Sequence, residues 1–215
     1  MSEITFRQAT LEKDFDQCFE IHYEAFKDYP IFNIYTANTP EQQENFNKSL
    51  MNVQLNESFK NDIVFVAEKG NEMVGVALFQ NPEHKEPNIF QYLYSSGIAM
   101  IRHIWYGGFK NTFGFLDMVD KCNAPLMEYS EKHPTWTLES ISVKRKYFRQ
   151  GIGSRMINEC IIPYIKENNG NCLMLVTNTE GHTLFYKKNK FELFNKTEFI
   201  CNNQLVKNWV FKRDI

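Results

Sequence analysis

The chain has 215 residues, 43% of them hydrophobic and 15% aromatic, which supplies a packed core and argues against disorder. Its 24 Lys and Arg against 26 Asp and Glu leave a formal charge of −2, so no domain-wide basic surface is implied and nucleic acid is not expected as a partner. The five cysteines (Cys18, Cys122, Cys160, Cys172, Cys201) contain no CxxC pair, which argues against structural zinc, any other metal site built on cysteine, and a disulfide framework. Buried free thiols in a reducing compartment are the plain reading. The opening MSEITFRQAT has no apolar signal core, and no apolar run reaches membrane-spanning length. A soluble cytoplasmic protein without a membrane partner is expected, as a single domain over 1–215 that forms a monomer or homodimer.

In chain order, ITFRQAT (4–10) alternates as a strand. Phe15, Cys18, Phe19, His22, Ala25 and Phe26 recur at helical spacing, and Pro30 stops that helix. A second helix starts at Thr39 as N-cap with Pro40 in the first turn. DIVFVAEKGNEMVGVALFQ (62–80) is a hairpin about Gly70-Asn71, and 81–88 is a polar loop. An aromatic-rich segment, 89–133, reads as a helical insertion of two helices broken near Gly107-Gly108. TWTLESISV (135–143) alternates as a strand. Residues 151–167 form a helix that Pro163 bends or ends, and NCLMLVT (171–177) is a strand buried on both faces. A short helix near 180–189 and two closing strands complete a mixed α/β (α+β) fold, with about seven strands and helices on both faces of the sheet.

The join of strand 135–143 to the next helix carries Arg149-Gln150-Gly151-Ile152-Gly153. A helix start offers backbone N–H groups without internal partners, and glycines let an anion approach them without a Cβ in the way. Lys144, Arg145, Lys146 and Arg149 suit a polyanion. Short Gly-x-Gly turns are as often only tight turns. No Gly-Lys-Ser/Thr follows, and Met156 stands where a dinucleotide fingerprint has its third glycine, so nucleotide-binding motifs of those kinds are excluded.

With GHTLFYKKNKF downstream, the sequence resembles the GNAT acyl-CoA N-acyltransferases, and HPTWTLESISV with LVTNTEGHTLFYKKNKF looks like their puromycin-acetyltransferase-like branch. The phosphate-turn positions are Val143, Phe148, Gly151 and Gly153, and the second signature is Phe185-Tyr186, Lys188 and Phe191. The match is strong over 133–192 and confined to element order before residue 80. It implies acetyl-CoA as cofactor, held by Ile141, Ser142, Val143, Phe148, Arg149, Gln150, Gly151, Ile152, Gly153, Ser154, Asn178, His182 and Tyr186. It implies a small-molecule amine as acceptor and Tyr186 as general acid at the thioester sulfur. The sequence departs from the family pattern in three places: Phe148 replaces Arg or Gln, His182 replaces Asn, and Lys190 replaces Gly, with Asn189 expected to take the left-handed C-cap conformation instead.

Glu139 is the candidate base, an acid on an otherwise apolar strand, expected to face the side of Ile141 and Val143; a structural carboxylate is the alternative. His133 and His182 are second candidates. Phe26, Tyr29 and Phe32 are candidate acceptor contacts together with Glu139, and Trp105, Tyr106 and Phe109 form a second aromatic cluster that could line an acceptor pocket. The competing reading of the whole chain is a catalytically degenerate acyl-CoA-binding module.

Overall fold

The computed structural model describes residues 3–35, 39–84 and 89–215, with backbone alone for 89–100 and 102–103. Seven strands form one sheet in the order β1-β2-β3-β4-β5-β7-β6: β1 (Ile4–Gln8), β2 (Ile63–Lys69), β3 (Glu72–Gln80), β4 (Trp136–Val143), β5 (Cys172–Thr177), β6 (Glu192–Cys201) and β7 (Gln204–Asp214). All neighbours run antiparallel except β4 and β5. The Gly70 turn of the β2–β3 hairpin has φ +63°, the conformation a two-residue hairpin turn demands.

Helices α1 (Leu11–Phe26), α2 (Pro40–Asn61) and α3 (Ile89–Ser130) belong to one side of the sheet, and α4 (Ile152–Arg155), α5 (Ile162–Glu167) and α6 (Glu180–Lys188) to the other. Thr39 caps α2 as its composition requires, accepting the Gln42 N–H at 3.2 Å. Between α4 and α5 the chain makes a π-helical stretch, Met156–Ile161. Pro163 has no N–H and its ring crowds the carbonyl four residues earlier, so a regular α-helix cannot run through it; the wider turn absorbs the misfit without breaking the rod. Ile152, Met156, Ile157, Ile161 and Ile165 then reach the core with Phe79, Trp136, Leu138, Leu173, Leu175 and Phe211.

Two expectations change. The insertion is one 42-residue helix, not two. Gly108 does adopt φ +71°, so the glycine pair marks an irregularity, but helical hydrogen bonding continues past it. At the end of α6, Asn189 keeps φ −91°, because its amide donates to Phe185 C=O (2.8 Å) and Ser154 Oγ (3.1 Å); Lys190 itself takes the left-handed turn, at φ +64°. The polar loop expected at 81–88 lies outside the described residues from 85 onward.

Candidate active site

Strands β4 and β5 pair only at Trp136↔Leu173 and Thr137↔Met174, then separate. Beyond Thr137 the β5-facing edge of β4 has no strand partner among the described residues, which leaves backbone donors and acceptors open to an extended ligand. On its other edge β4 is paired with β3, but the register shifts: Phe79 faces Leu138 and Leu78 faces Ser140, which makes Glu139 the extra residue of a bulge. This bulge reverses the alternation. Trp136 and Leu138 precede it on the α4–α5 side, and Ile141 and Val143 follow it on that same side. Glu139, after Leu138, therefore points to the α1–α2 side, away from Ile141 and Val143. The expected orientation is corrected: strict period-two counting fails across an inserted residue.

Ser140 and Ser142 share the α1–α2 side, because their β3 partners Leu78 and Val76 belong to the core beneath α1. Ser142 Oγ lies 3.2 Å from His22 Nδ1, and His22 Nε2 lies 3.3 Å from Gln54 Oε1. His22 is fully buried; desolvation lowers its pKa to about 4, so the ring is neutral at physiological pH. The sequence placed His22 on an apolar face; its tie to β4 had no local signal.

At the glycine turn, Arg149 has φ +61° and Gly151 φ +80°. A Cβ at Gly151 would meet nothing within 4 Å, so the space in front of the turn is open, whereas one at Gly153 would lie 3.2 Å from Phe185. The first backbone bond of the helix is Arg155 N–H to Gly151 C=O (3.0 Å), so the N–H groups of Ile152, Gly153 and Ser154 precede the ladder. This cradle fits a phosphate group. The basic cluster is less available than its sequence implies. Lys144 and Lys146 bind Glu72 (3.0 and 2.7 Å), whose carboxyl, held by Lys146, Tyr147 and Lys144, titrates at about 2. Arg145 pairs with Asp28 (2.6 Å). Of the four, Arg149 alone has no ion pair among the described residues. Phe148 stands 52% exposed beside the turn. Gln150 donates to Lys146 C=O (3.2 Å), and Ser154 Oγ accepts from Asn189 (3.1 Å).

Tyr186 on α6 is buried among Phe185, Phe191 and Phe211, and desolvation raises its pKa well above the usual phenol value. Tyr29 follows α1 and reaches the end of β5: its hydroxyl accepts the Asn178 N–H at 2.7 Å and lies 3.0 Å from Thr177 Oγ1. Its ring stacks on His182 at 5.8 Å. The Asn178 side chain is turned into the fold, donating to Asn208 Oδ1 (3.0 Å) and Lys207 C=O (3.1 Å). Phe26, Tyr29 and Phe32 do come together, with centroids 5.5 to 6.4 Å apart, and Phe26 packs on His22 at 4.8 Å. The second aromatic cluster does not join them: Trp105 and Phe109 are 84% and 67% exposed on α3. His133 is exposed against Tyr129.

A model of the acetyltransferase (GNAT) family matches residues 29–191. No curated protein matches the sequence. Solved structures share the fold at low identity. One is described as a histone acetyltransferase HPA2 and related acetyltransferase from Corynebacterium glutamicum (18% identity, TM-score 0.63, 98% of this chain and 96% of that one). A second is a GNAT family acetyltransferase from Elizabethkingia anophelis with acetyl-CoA bound (12%, 0.54, 99% and 98%). A third is the Drosophila melanogaster polyamine N-acetyltransferase (13%, 0.63, 99% and 100%). Among the described residues, no helix is long and apolar enough to cross a membrane.

Proposed function

The chain belongs to the acetyltransferase (GNAT) family, and we propose that it moves an acetyl group from acetyl-CoA to a primary amine of a small molecule, by direct attack with both substrates bound. The observation that carries this reading is the gap between β4 and β5, with the glycine turn following one wall and α6, bearing Tyr186, following the other. Acetyl-CoA, when bound, supplies the activated acetyl thioester. The amides of Ile152 to Ser154 and the Arg149 guanidinium hold its pyrophosphate. The open β4 edge at Ile141 to Val143 hydrogen-bonds its extended arm. Glu139, on the α1–α2 side, takes the ammonium proton through water, so that the nitrogen lone pair is free to attack. Tyr186 protonates the departing sulfur; its raised pKa keeps the hydroxyl proton in place at working pH. Phe26, Tyr29 and Phe32 flank the acceptor. The amine substrate of the Drosophila protein and the acetyl-CoA of the Elizabethkingia protein support the same assignment here.

The test is thiol release from acetyl-CoA with a panel of amines, for the wild type and Tyr186→Phe. The variant should fold and bind acetyl-CoA but lose about 10²–10⁴ in kcat. An unchanged kcat, with chemistry shown to be rate-limiting, removes Tyr186 from the mechanism. Acetyl-CoA binding without thiol release for any amine would leave an acyl-CoA-binding module.

A further inference from the structure

Two serines, Ser140 and Ser142, lie two residues apart on the same face of β4. Ser142 has its partner in His22. Ser140 is 7% exposed, and its Oγ is buried with no hydrogen-bond partner among the described residues. Buried hydroxyls are nearly always satisfied, so one that is not calls for a specific explanation. Its place supplies one. Ser140 is three residues past Thr137, the last β4 residue paired with β5, and it follows the bulged Glu139 directly. The bulge turns both side chains toward the side of α1, whose His22 holds the neighbouring Ser142. The open wall of the gap, an acid and an unpartnered neutral hydroxyl are thus adjacent.

We propose that Ser140 is an acceptor-positioning residue whose Oγ accepts an N–H hydrogen of the incoming amine and holds the nitrogen beside Glu139; this rests on the reading of the protein as an amine acetyltransferase. A hydroxyl suits the task better than a second carboxylate. It accepts from the ammonium before proton loss and from the neutral amine after it, and it adds no charge that would favour the unreactive cation. Nothing in the reaction consumes it: the hydroxyl keeps its own proton throughout.

The experiment uses the intact chain and Ser140→Ala. Thermal unfolding is measured without ligands. Steady-state kinetics follow with acetyl-CoA and 2-phenylethylamine, agmatine, spermidine, glucosamine and glycine. The variant should unfold no lower than the wild type, because it loses only an unsatisfied buried group. For every amine the wild type uses, kcat/KM for the amine should fall roughly ten-fold, the worth of one hydrogen bond, with KM for acetyl-CoA unmoved. A lowered melting temperature would mean that the hydroxyl has a structural partner, and would overturn the inference. So would an unchanged kcat/KM for the amine, or an equal rise in KM for acetyl-CoA, and in those cases the transferase reading stands. A wild type that acetylates none of the amines overturns the transferase reading and this inference together.

Discussion

Lys190 holds a left-handed backbone, φ +64°, just after α6, where Phe191 N–H closes onto Tyr186 C=O at 3.1 Å. A Cβ in that conformation costs about 1–2 kcal/mol, of which glycine recovers part after its own entropy loss. Lys190→Gly should therefore stabilise the protein by roughly 0.5–1 kcal/mol, read as a higher denaturant midpoint with unchanged slope. An unchanged or lower midpoint would show that the lysine makes a compensating contact. His22 gives a second residue-scale expectation. Its folded pKa of about 4 lies below the usual 6.5, because burial opposes the charge; Ser142, Gln54 and Phe26 surround the ring. The unfolded chain thus binds the extra proton first as pH falls. Stability is fully present above about pH 6.5 and is lost progressively toward pH 4, by on the order of 3 kcal/mol. Denaturant titrations across pH 4–7 on the wild type and His22→Gln test this: the variant should show a shallower fall, and parallel curves would rule out His22 as the source. The packing of Tyr186 against Phe185 and Phe191 was legible at this scale from their closeness in sequence. The direction of Glu139 was not, because a bulge is a property of the strand pair and leaves no mark in one strand's alternation.

Helix α3 shows what an element's own sequence conceals. Gly107 and Gly108 look like a break, yet both lie within the helix and of the two only Gly108 has a positive φ. Gly107 serves packing: a Cβ there would stand 2.1 Å from the Phe46 ring of α2. Gly107→Ala should force the helices apart and cost roughly 1–3 kcal/mol, the usual range for overpacking, while Gly108→Ala acts through backbone strain alone, with open space around it. Combining each with Phe46→Leu separates the two: the smaller side chain should relieve Gly107→Ala and leave Gly108→Ala as it was. Equal relief for both would put the steric assignment aside. The stretch 152–167 makes the opposite point. Pro163 in the sequence signals a disturbance of regular helix, and the π-helical residues Met156–Ile161 are how the disturbance is absorbed. Where exactly it would be absorbed depended on the sheet beneath, since the isoleucines must still reach the core.

At the scale of the molecule, ligand and fold are linked. If acetyl-CoA binds the folded chain alone, a concentration of a hundred times Kd adds about 2.7 kcal/mol, or roughly 5–11 °C in Tm for a chain of this size. Arg149→Ala should weaken binding roughly ten-fold and remove about 1.4 kcal/mol of that gain, while Lys146→Ala, whose ammonium is already held by Glu72, should remove much less. Equal losses in the two variants would contradict the pairing scheme. The difference between these lysines and arginines is tertiary. The basic run is written in the sequence; its neutralisation by Glu72 and Asp28, from β3 and the segment after α1, required the fold. The sequence by itself determined the seven strands, the helices outside 89–133 and the strand–glycine–helix turn, because periodicity, capping and glycine placement act over a few residues. Only the tertiary structure decided which way Glu139 points, that Asn178 is turned inward, that Tyr29 reaches β5, and that Ser140 is left without a partner among the described residues. Those outcomes depend on which strands pair and where they part, and contacts between distant segments are fixed by packing that no local pattern records.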